Sequence, residues 1–487
     1  MSFTLAELVE ATGGRLVGGP PGGLTLERLV TDSRQAAAGA LFVALAGEAT
    51  DGHRFVPEAI AAGASALLLA REQAGVEVPQ VVVSDTRVAL ARFTRARLAA
   101  HRVRVVGVTG SVGKTSTKEM LAAVLGPRFV VLKTEGNLNT YTGFPITVAG
   151  LAPEHQVFVA EYAMSARGEI AFLCEMAPPE VGVVLNVGWS HAGMLGGIDA
   201  VAEAKRELVE ALPAAGLAVL NADDPRVVAM ASASAAPVVF YGLGEGGAPA
   251  WGQEPAWDRP PGPAGPARGS GPDATGRPPA VTAEDVRLGG LAGTEMTLVT
   301  PSGRARLRLH VPGRHAVSNA LAAAAVGDHF GISPEDTAGA LEGFRPLPGR
   351  LVARAGREGS VILDDSYNAS PASMEAALAV LLADPHRPRI AVLGDMLELG
   401  DATVEAHRSL GRAAAGVDLL IAVGEHAGAI REGAVGEGME PDRVFAVASR
   451  EAAAEIVGPQ LEGSIVLVKA SRGVALEEVV SRLVAQP

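Results

Sequence analysis

The sequence predicts an α/β protein, because short apolar runs of strand length alternate with longer runs of helical periodicity along most of the chain. LFVAL at 41–45, QVFVAEYA at 156–163 and SIVLVKASRG at 464–473 are such strands, and helix-like runs follow them. The length of 487 residues suggests about three domains of roughly 150 residues each. A glycine-rich loop between a strand and a helix, within 103–125, carries the clearest chemistry.

Composition and charge limit the classes of function. Apolar residues make up 48% of the chain and aromatic residues only 4%, so the core must be packed mainly with Ala, Val and Leu. The formal net charge of −13 argues against a general nucleic-acid binder, although it allows a local cationic pocket for a small anion. We therefore expect small-molecule substrates and no nucleic-acid partner.

The beginning of the chain and its apolar runs indicate location. MSFTLAELVEATGG carries acidic residues where a secretion signal would be basic. No apolar run reaches the length of about 18 residues that a membrane helix needs. We expect a cytoplasmic monomer without membrane insertion. The single cysteine, Cys174, has apolar neighbours, which favours a core position over a catalytic nucleophile.

The first predicted domain, residues 1–100, is a small α/β unit whose distinctive segment is TDSR at 31–34. A short polar side chain beside an arginine on a loop can hold a phosphate or a uracil edge, so Ser33 and Arg34 are candidate ligand-binding residues. A capped turn with a surface arginine is the more common explanation of such a segment, and this alternative stays open.

The segment TGSVGKTS at 109–116 is predicted to bind the phosphates of a nucleotide. Gly110 and Gly113 allow the backbone to turn its N–H groups toward an anion. Lys114 adds a positive charge, and Thr115 offers a hydroxyl to a magnesium ion. A buried strand before the loop and a helix after it supply the structural context that a bare glycine pattern lacks.

The loop departs from the strict P-loop spacing, which requires a glycine where this chain has Val108. The nearest glycine is Gly107, so the match is to a tighter TGxxGKT pattern. An ordinary glycine turn is the alternative, and the flanking strand and helix favour the phosphate loop.

Polar side chains follow the next strands of the second domain, residues 101–344. QVFVAEYA reaches Glu161, and VGVVLNVG at 181–188 leads to His191. In a parallel sheet with right-handed crossovers these strand ends lie along one edge, beside the phosphate loop. Glu161 and His191 are therefore candidate magnesium ligands near Thr115, although each taken alone could equally be a polar residue at the mouth of a loop.

Lys205 falls on the apolar face of the helix IDAVAEAKRELVEALP, with Val201, Leu208 and Leu212. Burial lowers the pKa of an ammonium group, and a neutral amine can react with carbon dioxide to give a carbamate, which is a carboxylate-like metal ligand. On the pattern alone, a side chain that extends its charge to water is the more common outcome.

The segment 243–280 breaks the α/β rhythm with nine prolines and no periodicity, and it is predicted to be a mobile insertion on the rim of the second domain. Trp251 and Trp257 within it could dock on the protein, but a solvated loop is the simpler expectation. Strands resume with EMTLVT and ARLRLHV, and a helix is predicted behind Asn319.

The third predicted domain, residues 345–487, reads as a doubly wound sheet. SVILDDSYNASP at 360–371 is a strand that opens into polar residues before a helix from Pro371. A basic cluster of Lys469, Ser471 and Arg472 follows the last strand, where an open α/β sheet usually binds its ligand. A solvated edge explains this cluster about as well.

Taken together, TGSVGKTSTKEM, TEGNLNTYTGFPIT, EYAMSARGEI, DDSYNASPASMEAAL, LGDMLELG and LVKASRG resemble the motifs of the Mur ligase family over nearly the whole length, the proline-rich insertion excepted. DDSYNASP and LGDMLELG resemble the branch that joins D-alanyl-D-alanine to a UDP-N-acetylmuramoyl-tripeptide. The resemblance implies a UDP-binding N-terminal domain, a central P-loop ATPase domain and a Rossmann-like C-terminal domain. It also implies peptidoglycan precursor synthesis driven by ATP, with two magnesium ions.

The resemblance assigns roles to individual residues. Catalysis is assigned to Lys114, Glu161, His191 and Lys205. ATP binding is assigned to Gly110, Ser111, Gly113, Lys114, Thr115, Ser116, Asn137, Asn319, Arg350 and Asp365. Magnesium is assigned to Thr115, Glu161, His191 and a Lys205 that family members often carbamylate. Substrate binding is assigned to Ser33, Arg34, Asn368, Lys469, Ser471 and Arg472.

The chain departs mildly from the family pattern. Ser370, Ala470 and Ala316 stand where SYNANP, KGSRG and GRHN are usual, and Thr140 replaces a frequent asparagine. No catalytic residue type is lost. Other ATP-dependent amide ligases, such as one extending folate with glutamate or adding an earlier peptidoglycan residue, and a nucleotide-dependent regulator remain alternatives.

Overall fold

A computed structural model describes residues 2–19, 23–47, 50–243 and 279–485. Most of the predicted proline-rich insertion, 244–278 with Trp251 and Trp257, lies outside the described residues. Within the described part of the chain, no helix has both the length and the apolar character needed to cross a bilayer.

The strands are mostly short and spread along the whole chain. In chain order they are β1 (Phe3–Thr4), β2 (Arg15–Val17), β3 (Thr25–Leu26), β4 (Arg28–Val30), β5 (Ala40–Val43), β6 (Ala66–Leu69), β7 (Gln80–Val82), β8 (Arg104–Thr109), β9 (Val131–Lys133), β10 (Val157–Glu161), β11 (Val181–Val184), β12 (Leu217–Asn221), β13 (Val238–Tyr241), β14 (Thr282–Leu288), β15 (Thr294–Thr300), β16 (Gly303–Leu309), β17 (Val352–Ala355), β18 (Val361–Asp364), β19 (Arg389–Gly394), β20 (Leu419–Val423), β21 (Val444–Val447) and β22 (Ile465–Lys469).

Helices separate most of these strands. In chain order they are α1 (Leu5–Thr12), α2 (Val56–Ala61), α3 (Thr86–Ala100), α4 (Lys114–Leu125), α5 (Gly143–Ala149), α6 (Glu169–Met176), α7 (Ala192–Leu195), α8 (Ile198–Glu210), α9 (Pro225–Ala229), α10 (Arg314–His329), α11 (Pro334–Glu342), α12 (Pro371–Leu382), α13 (Thr403–Ala414), α14 (Ala427–Gly436), α15 (Arg450–Val457) and α16 (Glu477–Leu483).

The chain divides into two compact units. The first comprises Met1–Val108, Arg128–Gly182 and Glu207–Leu217, and the second comprises Thr109–Pro127, Val183–Arg206 and Ala218–Pro487. The three domain boundaries expected from the sequence remain a prediction, because these two units are built from several chain segments each.

A five-stranded sheet, in the order β2-β7-β6-β5-β4, forms the N-terminal part of the first unit. Its central strands are parallel, and β2 joins one edge antiparallel. Alternate residues of β5 enter two different cores, Leu41 and Val43 on one face and Ala40 and Phe42 on the other. Because both faces are covered, the strand reads as a continuous apolar run.

In the same unit β10 lies between β8 and β9 and is parallel to both. The register pairs Glu161 with Val108, and Glu161 is the last residue of β10. This is the strand-end position that the sequence predicted for Glu161.

The second unit contains the parallel pair β12 and β13, the antiparallel sheet β14-β15-β16 and a six-stranded sheet in the order β17-β18-β22-β19-β20-β21. In the six-stranded sheet β17 is antiparallel and the other strands are parallel. Along β19, Ile390 and Val392 enter one core and Ala391 and Leu393 the other. The predicted doubly wound sheet is therefore present in the C-terminal part.

Two predicted helix bounds agree with the structure, and one does not. Helix α3 spans the predicted 86–100, and α12 begins at Pro371 as predicted. The helix expected behind Asn319 begins earlier, at Arg314, so Asn319 lies inside α10. The reason is local: Gly313 precedes the helix with a φ of +91°, a conformation that suits glycine and lets the chain turn into α10 there.

Candidate active site

The predicted phosphate loop joins β8 to α4, and Gly113 is the residue from which the helix begins. Gly113 has a φ of +89°, in the left-handed region that L-residues with a side chain rarely adopt. The N–H groups in the first turn of α4 have no acceptor within the helix, so this end of α4 is suited to an anion. Local geometry therefore agrees with the predicted role of Gly113.

Asn186 holds the outer part of the loop, and the sequence had not singled it out. Its side-chain oxygen accepts from the N–H of Val112 at 2.9 Å, and its amide donates to the carbonyl of Val112 at 3.0 Å. Its own carbonyl accepts from the N–H of Ser111 at 3.1 Å. The N–H groups of Val112 and Ser111 are therefore both hydrogen-bonded to Asn186. The signal for it was its position, two residues after the end of β11, because the same attention to strand ends had picked out Glu161.

Ser111 is fixed by its side chain as well. Its hydroxyl donates to the carbonyl of Gly188 at 3.1 Å and accepts from the N–H of Gly188 at 2.8 Å. Together with Asn186, this contact ties the phosphate loop to the segment after β11. The loop is therefore shaped before any nucleotide binds.

The two residues that mark the irregular loop spacing have structural explanations. Val108 is fully buried in β8, and its carbonyl accepts from the N–H of Tyr162 at 2.8 Å. A Cβ on Gly107 would lie 2.8 Å from a ring carbon of Tyr162, so a side chain is excluded there. Gly107 is therefore required by the packing of an aromatic ring, and the loop itself begins only at Gly110.

Lys114 and Thr115 stand at the start of α4, as the sequence predicted. The Lys114 ammonium donates to the carbonyls of Gly110 at 2.7 Å and Ser111 at 3.4 Å, so it lies across the loop. The hydroxyl of Thr115 accepts from Nη2 of Arg350 at 3.0 Å. The structure thus brings Arg350 from the C-terminal part of the chain directly to the predicted magnesium-binding hydroxyl.

Asn319 also lies against the loop. It is buried, and its side-chain oxygen would be 2.6 Å from a Cβ built on Gly113. No residue with a side chain could replace Gly113 without moving Asn319. The predicted assignment of Asn319 to the nucleotide site is compatible with this position.

Lys469 and Asp365 form a buried ion pair in the C-terminal part of the second unit. The Lys469 ammonium lies 2.5 Å from a carboxylate oxygen of Asp365 and donates to the carbonyl of Asn368 at 2.9 Å. Burial raises the pKa of Asp365, and the positive charge of Lys469 opposes that change. Lys469 is therefore a structural partner of the 365–368 loop, while the side chain of Asn368 is exposed.

The remaining members of the predicted basic cluster differ in exposure. Ser471 is buried, and its hydroxyl accepts from the N–H of Leu397 at 3.0 Å. The Arg472 side chain is 66% exposed and lies 3.3 Å from Glu477. Arg472 is thus accessible to a ligand, whereas Ser471 mainly joins the loop after β22 to the LGDMLELG segment.

His191 contacts the C-terminal part of the chain through Glu398. Its Nδ1 lies 2.6 Å from a carboxylate oxygen of Glu398, and this contact lowers the pKa of that carboxyl. Two residues on, Gly193 approaches Gly400 so closely that a Cβ on Gly193 would be 2.3 Å from the Gly400 nitrogen. The segment carrying His191 therefore rests on the LGDMLELG segment.

Lys205 is 2% exposed, so its side chain does not extend its charge to water. The outcome that the sequence pattern alone favoured is therefore wrong. Burial, and then the charge of Lys114, lower its pKa well below the ordinary value. Within the described ranges Lys205 has no carboxylate ion-pair partner. Burial therefore favours the neutral form of the amine, which is the form that reacts with carbon dioxide.

Glu161 belongs to the first unit and is 3% exposed at the end of β10. Its carboxylate accepts from the side-chain amide of Asn139 at 3.0 Å, and its N–H donates to the hydroxyl of Thr134 at 3.1 Å. Asn139 was not singled out by the sequence, although it lies two residues after the predicted Asn137. Asn137 itself is exposed.

Ser33 and Arg34 lie in a short 3-10 turn that Asp32 caps. Ser33 is buried, while the Arg34 side chain is 80% exposed and pairs with Asp32 at 2.7 Å. That hydrogen bond from Arg34 lowers the pKa of Asp32. A capped turn with a surface arginine is therefore present. To contact a ligand as well, Arg34 would have to share its guanidinium between the ligand and Asp32.

Other polar and reactive residues have structural roles. Asp224 caps α9 and accepts from the N–H of Val187 at 2.8 Å. Cys174 is buried on α6, and burial raises its pKa, which keeps the thiol protonated. The sequence-based expectation that Cys174 is a core residue is confirmed.

A UDP-N-acetylmuramoyl-tripeptide–D-alanyl-D-alanine ligase of Escherichia coli (strain K12) is 37% identical, covering 99% of this chain and 98% of that protein. The chain belongs to the Mur ligase family. Family descriptions match in three places: the Mur ligase catalytic domain at 25–98, the Mur ligase middle domain at 108–255 and the glutamate ligase domain at 349–472.

Solved Mur ligase structures have the same fold. A crystal structure of MurF from Acinetobacter baumannii is similar with a TM-score of 0.84 and 31% identity, covering 99% of this chain and 98% of that one. The MurF ligase of Thermotoga maritima in complex with ADP gives a TM-score of 0.76 and 28% identity, covering 94% and 96%. The α/β fold class and the resemblance to this ligase branch are confirmed.

Proposed function

We propose that this Mur ligase joins D-alanyl-D-alanine to a UDP-N-acetylmuramoyl-tripeptide, with ATP converted to ADP and phosphate. The observation that carries the proposal is the contact of Arg350 with Thr115 at 3.0 Å, because it sets a guanidinium beside the hydroxyl and lysine of a phosphate loop. Full-length similarity to proteins named for this reaction supports the choice of substrates.

The chemistry explains why ATP is needed. A peptide carboxylate does not accept an amine at neutral pH, because the leaving group would be oxide. Attack of the carboxylate on the γ-phosphate forms an acyl phosphate and releases ADP. The amine of D-alanyl-D-alanine then attacks the carbonyl carbon, and phosphate leaves as the amide bond forms. A site that excludes water protects the acyl phosphate from hydrolysis.

Lys114 and Arg350 supply the charge that phosphoryl transfer requires. Lys114 already lies across the loop, and Arg350 lies at the first turn of α4, so both are positioned before the nucleotide arrives. A guanidinium binds two phosphate oxygens at once in a planar arrangement, whereas an ammonium acts as a point charge. We assign Lys114 to the transferred phosphate and Arg350 to a neighbouring phosphate.

The donors present suit magnesium, which prefers oxygen ligands. We assign the magnesium positions to the Thr115 hydroxyl, the Glu161 carboxylate, His191 and a carbamate on Lys205, as the family resemblance implies. When bound, the two ions would neutralise charge on the phosphate oxygens. Burial of Lys205 with no carboxylate ion-pair partner among the described residues supports the carbamate, because burial favours the neutral amine that reacts with carbon dioxide.

We assign the binding of each substrate to one of the three predicted domains. Ser33 and Arg34 of domain 1–100 would meet the uridine end, ATP would be held by domain 101–344, and Arg472 with Asn368 in domain 345–487 would meet the incoming dipeptide. Both Arg472 and Asn368 are exposed, which supports this role. Since ATP is a substrate, the reaction belongs to the cytoplasm, and we propose a monomeric enzyme.

Two other functions make different predictions. A folate-extending ligase would release ADP with folate and glutamate, and a nucleotide-dependent regulator would hydrolyse ATP slowly without forming an amide. The folylpolyglutamate synthase of Mycobacterium tuberculosis has a similar fold at 16% identity and a TM-score of 0.57, which concerns the fold alone. The carboxylate, imidazole and buried amine assigned to magnesium argue against a simple regulator.

The test is to incubate the protein with ATP, magnesium, D-alanyl-D-alanine and a UDP-linked tripeptide ending in lysine or in diaminopimelate. We expect ADP release that requires both peptide substrates and a product heavier by the dipeptide less one water. A reaction with folate and glutamate, or ADP release without any amide product, would contradict the proposal.

A further inference from the structure

Tyr367 lies between residues that the proposed function assigns to two different substrates. The Arg350 guanidinium carbon is 4.1 Å from the centre of the Tyr367 ring, and that of Arg472 is 5.4 Å from the same centre. Arg350 is assigned to ATP and Arg472 to the dipeptide. Both guanidinium groups therefore lie close to the same aromatic ring.

The backbone fixes the ring where Arg350 can use it. The N–H of Tyr367 donates to the carbonyl of Gly349 at 3.1 Å, so the backbone of Tyr367 is tied to the residue before Arg350. Gly349 has a φ of +73°, and a Cβ built there would lie 3.2 Å from the Tyr367 Cβ. The turn that delivers Arg350 is thus built around Tyr367.

The opposite side of the 365–368 loop is equally constrained. Asp365 pairs with the buried Lys469, and the same ammonium binds the carbonyl of Asn368. The loop is therefore anchored on both sides of Tyr367, at 365 and at 368. This anchoring limits the movement of the backbone that carries the Tyr367 ring.

Arg350 needs such a support because its side chain has several rotatable bonds, whose freedom opposes any single placement. Its Nη2 reaches the Thr115 hydroxyl at 3.0 Å, where the proposed nucleotide phosphates and magnesium meet. An aromatic face attracts a guanidinium and holds it over the ring. Without the ring, Arg350 would keep its positive charge, but its side chain would no longer be held toward Thr115.

We infer that Tyr367 is a positioning residue for ATP: its ring, not its hydroxyl, holds Arg350 against the phosphate loop and links it to Arg472. The inference rests on the proposed function for the identity of the nucleotide. It concerns the ring face, so phenylalanine should serve as well as tyrosine at this position.

The test is a double-mutant cycle on nucleotide affinity, measured by calorimetry with a non-hydrolysable ATP analogue and magnesium and without peptide substrates. Tyr367→Leu should weaken binding by roughly three- to tenfold, the range expected for one cation–π contact. Tyr367→Phe, the matched control, should stay within about twofold of the unsubstituted protein. In the Arg350→Met background, Tyr367→Leu should change the affinity by less than about twofold, since the cation that the ring holds against the phosphate loop is then absent.

Two results would overturn the inference. One is an equal loss from Tyr367→Leu with and without Arg350, since the ring would then act independently of it. The other is a loss from Tyr367→Phe as large as that from Tyr367→Leu, which would assign the effect to the hydroxyl. Tyr367→Gln, a polar replacement for this half-exposed side chain, repeats the measurement if Tyr367→Leu folds poorly.

The same variants separate this inference from the proposed function. If the unsubstituted protein binds the ATP analogue but adds no dipeptide to either tripeptide, the proposed substrates are wrong and the cycle still decides the role of Tyr367. In turnover, Tyr367→Leu should raise the KM for ATP more than the KM for D-alanyl-D-alanine. A general structural loss would lower kcat without that difference.

Discussion

Gly113 is the residue on which the shape of the phosphate loop depends most directly. Its φ of +89° disfavours any side chain, and a Cβ would meet the Asn319 side-chain oxygen at 2.6 Å. We expect Gly113→Ala to weaken ATP binding by at least about tenfold, because left-handed strain of roughly 1–2 kcal/mol adds to the displacement of Asn319. Calorimetry with ATP and magnesium measures this loss.

Gly13→Ala is the matched control for that substitution. Gly13 also has a positive φ, +67°, but a Cβ there would meet no atom within 4 Å. It ends α1, far from the loop in sequence. We expect it to cost about 1 kcal/mol of stability and to leave the affinity for ATP unchanged. Equal losses of affinity from both variants would show that a general loss of stability, and not the displacement of Asn319, explains the result.

We expect Lys205 to lower the stability of the protein while it supports catalysis. Replacing a buried, desolvated amine by an apolar side chain of similar length removes an unfavourable burial. We expect Lys205→Met to raise the free energy of unfolding by about 1–3 kcal/mol and to abolish ligation. Denaturant unfolding and ADP release measure the two effects.

Lys205→Ala tests the carbamate itself. It leaves space for a small carboxylate, so added short-chain carboxylic acids should partly restore activity to this variant and not to Lys205→Met. Unchanged activity in Lys205→Ala, without any added acid, would remove Lys205 from the catalytic residues.

His315 should make stability depend on pH. Burial, and then the charge of Lys469, lower its pKa from 6.5 to about 4. Between those values the unfolded chain binds a proton that the folded chain does not, so this contribution is complete above pH 6.5 and is lost as the pH falls toward 4. We expect His315→Gln to flatten the fall in unfolding free energy between pH 7 and 5. An unchanged slope would contradict the shift.

At the scale of elements, α7 and the segment after β19 meet backbone to backbone. Gly193 and Gly400 allow this approach, since a Cβ on Gly193 would lie 2.3 Å from the Gly400 nitrogen. We expect Gly193→Ala to separate the two segments and to lower both the midpoint of thermal unfolding and the rate of ligation, because His191 lies two residues away. Scanning calorimetry and ADP release measure these effects.

Gly339→Ala provides the comparison, because Gly339 lies inside α11 with no atom within 4 Å of a built Cβ. Alanine should stabilise that helix by roughly 0.5–1 kcal/mol without changing activity. If Gly193→Ala behaved in the same way, the close contact between α7 and the LGDMLELG segment would have no energetic importance.

Elements with strong local signals were predictable from the sequence. Asp85 caps α3 by accepting from the N–H groups of Arg87 and Val88, and Pro371 occupies the first turn of α12. Residues next to each helix start therefore determine where the two helices begin. Strands such as β1 and β3 are two residues long and exist only through their pairing, which no local pattern reveals.

The candidate site divides in the same way. The loop residues Gly113, Lys114 and Thr115 could be found from spacing, because a phosphate cradle imposes its residue types over a few positions. Asn186 and Asn139 could not be ranked above other polar residues, since their importance comes from partners that are distant in sequence. The contact of His191 with Glu398 likewise depends on tertiary structure.

At the scale of the whole molecule, the described residues on either side of 244–278 are hydrogen-bonded to each other. The N–H of Ala280 donates to the carbonyl of Phe240 at 2.9 Å, and the N–H of Gly242 donates to that of Val281 at 3.1 Å. Removing 246–276 would leave a short connection between residues that are hydrogen-bonded neighbours. We expect turnover to stay within about twofold of the full chain, because closing a shorter loop costs little.

A replacement of 246–276 by a Gly/Ser segment of equal length is the control for this deletion. A collapse of activity in both forms would show that the natural sequence of the insertion has a role in catalysis. A collapse in the deletion alone would assign the effect to the length of the connection.

The central claim is that phosphate is transferred to a peptide carboxylate and then displaced by an amine. The most direct measurement uses a UDP-linked tripeptide whose terminal carboxylate carries ¹⁸O in both oxygens, with ATP, magnesium and D-alanyl-D-alanine. Mass spectrometry should find one ¹⁸O in the released phosphate and one in the carbonyl of the new amide. Phosphate without ¹⁸O, formed while ADP is released, would contradict the account.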